Sequence, residues 1–581
     1  MKYTNYILAA GLLGSTNLYA VPFTDSGSIY KQIKQNQIEK AQGNTHPKYQ
    51  LKKKEHIEKH QTGVQGYFIK DFKVIGNIDL TQAQTDKVLK AYKNRELSKA
   101  QIQEAANALQ SAHMKNGDLT TEVKIVPHSI NDGIVTLRVI EGVLEKNGIS
   151  VQNSGERIKS EKVLDLLTHT LKPGLMEEKD YERAMLLIND FPGISGKADL
   201  YLGEKDGTDD LVMTITDEDV FNGNIDIDNY GSYYTGRTEI GTTLYWNSPT
   251  KNGEEIVARF ITTGKYSNFG YLDLAVPVFD NGMRIGASVD FLKYELDMDK
   301  SATAGDGTVW NARAYVKYPL IRTEDFNIET ELNYTHTAIK DNNATTEIDN
   351  TTIDKGVLTI SGNRSDEFLE NGITYFSAAL TVGNLKLDNQ DFKTTDDLLY
   401  QTAGSFTKIN FSLSRLQNLV GALSSKISVD GQWANKNLDT SEKYFLGGPY
   451  GVGGYPVGTV AGDHAAVFYA DLRYDFYDMP WGGDFQLNTY YTYGWTKIFD
   501  DPSALIQTYP GFAQYEEDNE VKLQSVGLGF SQTWSDTAVL RVMVGKQVGD
   551  KVLREYFDPK DKDYDKSDSD YRGWVNLIYY F

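Results

Sequence analysis

The chain has 581 residues, a formal net charge of -21 and no cysteine. That acidity argues against a nucleic-acid face, which needs clustered basic residues. The missing thiols exclude disulfides and thiolate ligands. Tyrosine (37), glycine (51) and a 12% aromatic share are high for so polar a chain. That mixture suits a transmembrane β-barrel, in which polar lumen residues alternate with apolar lipid-facing ones between aromatic girdles.

The N-terminus carries Lys2, an apolar stretch over 6–13 and then Leu18, Tyr19 and Ala20. This reads as a secretory signal peptide, residues 1–20, cleaved after Ala20. The stretch is too short to span a bilayer, and no other segment approaches the roughly 18 apolar residues of a membrane helix. Residues 26–41 bring Ile29, Tyr30 and Ile33 together at helical spacing among Lys and Gln, which predicts a short polar helix. Such a helix suits a water-filled lumen; a disordered leader is the other reading. Residues 42–62 form a charged linker. Its His56 and His60 have no further ligand in view and read as solvated, so no metal or cofactor is expected.

The pattern changes at Tyr67. A strand-like run turns at Gly76 and Asn77, and Thr81 with Gln84 forms a capping box for a helix reaching about Tyr92. Ser98 with Gln101 caps a second helix, whose stripe is Ile102, Ala105, Ala106, Leu109 and Ala112. Two strands follow around the turn at Asn131, Asp132 and Gly133, giving β-α-α-β-β. The same order recurs from Gly148: a strand, helices near 161–169 and 178–189, and two strands around Asp206 and Gly207. The chain therefore divides into residues 63–143, residues 144–218 and a C-terminal region, 219–581.

This arrangement resembles tandem POTRA domains. IVPHSINDGIVTLRVIEG is similar to the end of the first POTRA domain of two-partner-secretion transporters. LLINDFPGISGKADLYLGEKDGTDDLVMTI is similar to the end of their second. The resemblance implies periplasmic modules that receive an unfolded client. The physical route is strand addition to an exposed sheet edge, which needs little sequence specificity. Purely structural spacers are the alternative.

From about Phe221 onward, about sixteen segments of membrane-strand length alternate apolar and polar residues between Gly, Asn, Asp or Pro. Leu272, Leu274, Val276 and Val278 are expected to face lipid, with Tyr271, Asp273 and Ala275 facing the lumen. Phe468, Ala470, Leu472 and Tyr474 alternate in the same way with Tyr469, Asp471 and Arg473. An even strand number brings both barrel ends to the periplasmic side. The C-terminal run sets Val575, Leu577, Tyr579 and Phe581 on one face, and Trp574, Asn576, Ile578 and Tyr580 on the other. Ending on Tyr579 and Phe581 resembles the signal read by the barrel-assembly machinery of Gram-negative bacteria.

Between the eleventh and twelfth strands lies the Gly-rich segment 444–463. It resembles the sixth extracellular loop of the BamA-type superfamily, which folds into the lumen and carries a Val-Arg-Gly-Tyr/Phe tip. The matching residues are Val452, Gly453, Gly454 and Tyr455, so the arginine is replaced by Gly453. The family's acidic partner, in an Asp-x-Gly pattern, corresponds to Thr492. Removing one partner of a buried ion pair costs roughly 3–5 kcal/mol, while removing both can be near neutral. Gly453 and Thr492 thus read as a coordinated loss. Tyr450 and Tyr455 are candidates to anchor the loop by ring packing. Asp471 and Arg473 are candidates for its base, or are ordinary lumen-wall charges.

No Walker loop, GxSxG, HExxH or nucleotide fingerprint is present, so an enzyme is not expected. Helix, linker, two POTRA-like modules, 16-strand barrel and long loop together resemble the two-partner-secretion transporters of the haemolysin and filamentous-haemagglutinin type, within the BamA-type superfamily. The resemblance implies a monomer in the Gram-negative outer membrane, in contact with lipid and lipopolysaccharide. It would export a large TpsA-type exoprotein recognised by its N-terminal secretion domain, without ATP. The rivals are a BamA-like insertase, which usually carries more POTRA modules, and a passive porin or adhesin, which needs none.

Overall fold

The computed structural model describes residues 30–31 and 66–581, apart from 77–79, 116–120, 127–131, 141, 175, 204, 206–207, 298–304, 344–346, 509–518, 536 and 550–568. The expected signal peptide, the 42–62 linker and most of the 26–41 helix lie outside the described residues.

The first module runs β1 (Tyr67–Ile69), β2 (Asp71–Ile75), α1 (Gln82–Leu89), β3 (Arg95–Leu97), α2 (Lys99–Lys115), β4 (Glu122–Ile125) and β5 (Ile134–Ile140). The Thr81 side chain accepts from the Gln84 N–H while Gln84 caps the Thr81 N–H in return. Ser98 and Gln101 exchange the same bonds at the start of α2. Ile102, Ala105, Ala106 and Leu109 are buried with Ile69, Val135 and Leu137, so the stripe read from the sequence is the core face. The sheet order is β2-β5-β4, with β2 parallel to β5. β3 was not legible: a three-residue strand paired with β1 is too short to show alternation.

The second module runs β6 (Val143–Asn153), α3 (Ser160–Thr170), α4 (Glu178–Asn189), β7 (Ile194–Leu202) and β8 (Thr208–Asp217), in the sheet order β6-β8-β7. Leu166, Leu167, Leu187 and Ile188 of the helices are buried with Leu211, Met213 and Ile215 of β8.

Sixteen strands then form a closed antiparallel barrel. They begin with β9 (Phe221–Asp228), β10 (Glu239–Asn247), β11 (Glu255–Thr262), β12 (Ser267–Val278) and β13 (Met283–Glu295). The tallest wall is β14 (Gly305–Arg322), β15 (Phe326–Asn343), β16 (Glu347–Asp366), β17 (Gly372–Leu387) and β18 (Gly404–Val420). After β19 (Leu423–Ala434) comes a hairpin that is not one of the wall strands, β20 (Tyr444–Leu446) and β21 (Val460–Gly462). The wall resumes with β22 (His464–Phe476), β23 (Asp484–Lys497), β24 (Glu520–Trp534), β25 (Ala538–Val548) and β26 (Tyr571–Tyr580). β16 has 20 residues, whereas β9 and β11 have 8 each. Helices α5 (Gln390–Leu399) and α6 (Ser503–Thr508) lie in the loops after β17 and β23.

The last strand closes the wall against the first, from Asn576 opposite Asp228 to Tyr580 opposite Asn224. Phe581 exchanges backbone hydrogen bonds of 2.9 and 3.1 Å with Gly223. Closure leaves no open edge in the bilayer, where an unpaired backbone group is costly. Leu272 and Leu274 are exposed outward while Asp273 and Ala275 are buried inward. Val575, Leu577, Tyr579 and Phe581 are likewise exposed, with Trp574, Asn576 and Ile578 buried. The lumen departs from a uniformly polar lining: Phe269, Leu292, Val309, Ile339 and Ile353 share one buried cluster on its inner face.

The second module is fastened to the rim where β9 starts. Arg322 grips Asp190 through two bonds of 2.9 and 2.7 Å, and Arg183 donates to the Pro319 carbonyl at 2.8 Å. Gly253 and Gly282 take left-handed backbone in two rim turns, and a Cβ on them would meet Phe191 at 2.4 Å and Leu187 at 2.6 Å. Bare backbone there lets the module approach closely.

Candidate functional site

Segment 444–463 forms a hairpin buried against the inner side of the wall. Tyr444 to Leu446 pair with Val460 to Gly462, and the hairpin drops from the rim between β19 and β22 into the lumen. Gly447 and Gly448 turn its tip with φ of 90° and 87°, a conformation that L side chains rarely adopt. The Gly448 N–H donates to the Tyr455 carbonyl at 3.0 Å, and the Tyr455 N–H to the Val452 carbonyl at 3.0 Å. Tyr444, Leu446, Val452, Tyr455 and Val460 are buried against wall residues Ala465, Val467, Val521 and Leu523. The apolar inward residues of β22 and β24 are thus the loop's seat.

The tip residues each meet the wall. Trp574 Nε1 donates to the Gly453 carbonyl at 2.7 Å, and Gln547 Nε2 to the Gly454 carbonyl at 3.1 Å. Tyr450 packs edge-on to Tyr230, ring centroids 5.6 Å apart, and Tyr230 packs edge-on to Trp574 at 6.0 Å. Thr492 is fully enclosed and hydrogen-bonds Ser525 at 2.6 Å. The wall group nearest a Cβ on Gly453 is the Tyr490 hydroxyl, at 2.9 Å, two positions before Thr492 on the same face.

Asp471 and Arg473 turn toward each other. Arg473 Nε donates to Asp471 at 2.7 Å, as does the Tyr469 hydroxyl at 2.7 Å, while the Lys426 N–H donates to the other carboxylate oxygen at 2.8 Å. The stem of the loop is closed by a pair that the sequence did not single out. Lys443 Nζ meets Asp463 at 2.6 Å and also donates to the Ile498 carbonyl at 2.6 Å. Asp463 further accepts from the N–H groups of Leu438 and Asp500 at 3.0 and 2.9 Å. Tyr579 and Phe581 face outward at the closing seam.

A second charge centre lies one residue before the stem. Glu442 is buried and takes Lys408 at 2.6 Å through one oxygen and Lys355 through the other. Burial opposes ionisation of Glu442, but Lys355, Lys408 and Lys31 outweigh it and hold its carboxyl well below the usual range. Lys31 belongs to the N-terminal segment. Residues 30–31 are helical, and Asn311 on the inner wall donates to the Tyr30 hydroxyl. The Tyr30 ring lies 6.4 Å from that of Phe269. Burial and then the charge of Lys408 pull the Lys31 ammonium down to about 7, with Glu442 opposing. Lys355, Lys408 and Glu442 come from three separate segments, so no local spacing announced them.

A closed barrel in the outer membrane, with α/β modules on its periplasmic rim and a loop filling its lumen, defines an outer-membrane transporter built on POTRA domains. Comparison with known proteins places it further. Residues 207–502 match the haemolysin secretion/activation protein family ShlB/FhaC/HecB, and residues 67–142 match the ShlB-type POTRA domain. The chain belongs to that family. It is similar to the heme/hemopexin transporter protein HuxB of Haemophilus influenzae strain 86-028NP, 25% identical over 98% of this chain and 97% of that protein. It is also similar to the outer membrane transporter CdiB of Escherichia coli O6:K15:H31, 21% identical over 74% of this chain and 73% of the relative. The solved structure of CdiB from Escherichia coli shares the fold, with a TM-score of 0.65 at 16% identity, covering 96% of this chain and 99% of that one. The protein is therefore a two-partner-secretion transporter of the Gram-negative outer membrane, with its POTRA domains in the periplasm, and it exports a partner exoprotein. The insertase and porin readings give way to the family match.

Proposed function

We propose that the client enters as an extended chain held on the sheet edges of the two periplasmic modules, passes through the lumen without ATP, and is drawn outward by folding outside. The carrying observation is the strand order. β2-β5-β4 and β6-β8-β7 each end on strands with an open side among the described residues. β7, nine residues long, presents exposed Leu200 and Tyr201. Its outer side is taken at Gly196 by the Asn189 side chain and at the Ala198 carbonyl by the Tyr181 hydroxyl, so the length left to pair with a passing backbone runs from the Ala198 N–H toward Leu202. On this reading, residues 1–20 are the signal peptide, 21–62 the plug helix and linker, 63–143 and 144–218 the two POTRA domains, and 219–581 the barrel.

Residues 26–41 act as a plug at rest, supported by the contacts of Tyr30 and Lys31 with the inner wall. Val452, Gly453, Gly454 and Tyr455 set the loop tip, with Tyr450 packed beside it on Tyr230 and Thr492 in the wall, bonded to Ser525. Tyr579 and Phe581 are read by the barrel-assembly machinery. The protein works as a monomer among lipid and lipopolysaccharide. HuxB, similar over nearly its whole length, is a heme/hemopexin transporter protein, which makes an exoprotein that handles heme or hemopexin the first client to test.

The test is binding of purified 63–218 to the unfolded secretion domain of the partner. Proline at Lys197 or at Ala198 removes one N–H from β7, and in an antiparallel strand one of these two adjacent groups faces the open side. Micromolar binding that one proline abolishes supports the reading. Binding by the barrel alone, with none by 63–218, overturns it.

A further inference from the structure

We infer that Tyr490 is the positioning residue that seats the tip of the lumen loop, as a packed aromatic standing where an ion pair is absent. Tyr490 lies inward on β23 and is 3% exposed. Its ring lies across β24 at Gly527, where a Cβ would come within 2.2 Å of Cζ. Its hydroxyl ends at the loop, 2.9 Å from a Cβ placed on Gly453. Two further wall glycines receive the tip: a Cβ on Gly494 would meet Val452 Cγ2 at 2.7 Å, and one on Gly545 would meet the Gly453 carbonyl carbon at 2.6 Å. Gly494, Gly527 and Gly545 therefore carve a bed on three adjacent strands, and Tyr490 occupies its edge.

The hydroxyl of Tyr490 is buried without a hydrogen-bond partner. A buried polar group left unpaired is costly, so the ring, and not the hydroxyl, accounts for the seat. The ring is itself held from behind. Tyr469 stacks on it with centroids 5.9 Å apart at 19°. The Tyr469 hydroxyl is fixed by Asp471, and Asp471 by Arg473. Asp471 and Arg473 thus reach the loop at second hand, through two tyrosines. A Cβ on Gly453 would crowd the Tyr490 hydroxyl at 2.9 Å while the ring carbons stay 3.5 Å away, so glycine there spares the hydroxyl a clash. The coordinated pair on this face is then Gly453 with Tyr490, and Thr492 is satisfied separately by Ser525.

The full-length protein reports tip seating by hydrogen exchange of the Gly448 and Tyr455 amides, both bonded within the loop. Folding is checked by heat-modifiable gel mobility and export by secreted client. Tyr490→Phe is expected to exchange and secrete like the parent. Gly453→Ala is expected to lower the protection of those amides roughly tenfold, the scale of one overpacked methyl in a close-packed site. Adding Tyr490→Phe to Gly453→Ala should restore it, because the atom in the way is gone. Tyr490→Leu, in a folded barrel, should lose protection without rescue. The inference is overturned if Tyr490→Phe fails to rescue Gly453→Ala, or if folded Tyr490→Leu protects those amides as the parent does.

Discussion

Lys443 and Asp463 stand 20 positions apart in the chain and meet at 2.6 Å, tying the two ends of the lumen loop together where almost no solvent reaches. The pair closes the stem of the loop, and the wall holds the tip separately through Trp574 and Gln547. Asp463→Asn leaves Lys443 charged and enclosed, which costs roughly 3–5 kcal/mol. Replacing both, Lys443→Gln with Asp463→Asn, should cost clearly less. Urea midpoints of the refolded barrel, followed by tryptophan fluorescence, measure the difference. Equal losses for the single and double variants would show that the charges are not coupled.

Lys31 makes docking of the N-terminal segment depend on pH. Its ammonium titrates near 10.5 when solvated and about 7 in the lumen. Between those values the undocked segment binds more protons than the docked one, so docking strengthens as pH rises through that window and is weakest below it. Opening events in planar bilayers should be more frequent near pH 6 than near pH 9, by about tenfold or more. Lys31→Met should flatten the profile toward the plugged state. A profile that Lys31→Met leaves unchanged would sink the assignment.

Glu442 is the counter-charge for lysines from three segments. Glu442→Gln preserves the shape but leaves Lys355 and Lys408 facing each other, at a cost of roughly 3–5 kcal/mol. Lys408 is itself 3% exposed, so solvent cannot take over. The variant should release the N-terminal segment and raise single-channel conductance, and Lys408→Met should partly reverse it. Parental conductance in Glu442→Gln would argue against the cluster as a fastening point.

The Arg322–Asp190 grip is half open to solvent, so the pair alone is worth less than about 1 kcal/mol. Asp190→Ala should therefore keep the barrel folded and secretion active, while speeding hydrogen exchange in 178–189. Complete loss of secretion would mean that Asp190 does something other than fasten the rim.

Much of this architecture was legible because it is local. Thr81 and Gln84 announce a helix start three residues apart, and the alternation of Leu272, Asp273 and Leu274 announces a strand on its own. Val452 and Tyr455, read from the sequence as tip residues of the loop, lie in one buried cluster with the wall. What was not legible is long-range. Lys355 and Glu442 are 87 positions apart, and neither sequence neighbourhood marks the other. The inward Phe269, Leu292 and Val309 look like any apolar strand residue until the wall curves and brings them together. Tyr490 gave no signal either. Its meaning depends on glycines of three neighbouring strands and of the loop, which only the register aligns.

The unequal strands give the pore a sheltered side. β16 has 20 residues and β11 has 8. At about 3.3 Å per residue the two walls differ by roughly 40 Å along the strand direction. The periplasmic turns are short, as between β14 and β15 at 323–325, so the excess rises on the cell exterior. Among the described residues, a polypeptide emerging from the lumen meets a β-sheet parapet over β14 to β18, five of the sixteen strands, so the exit is lopsided.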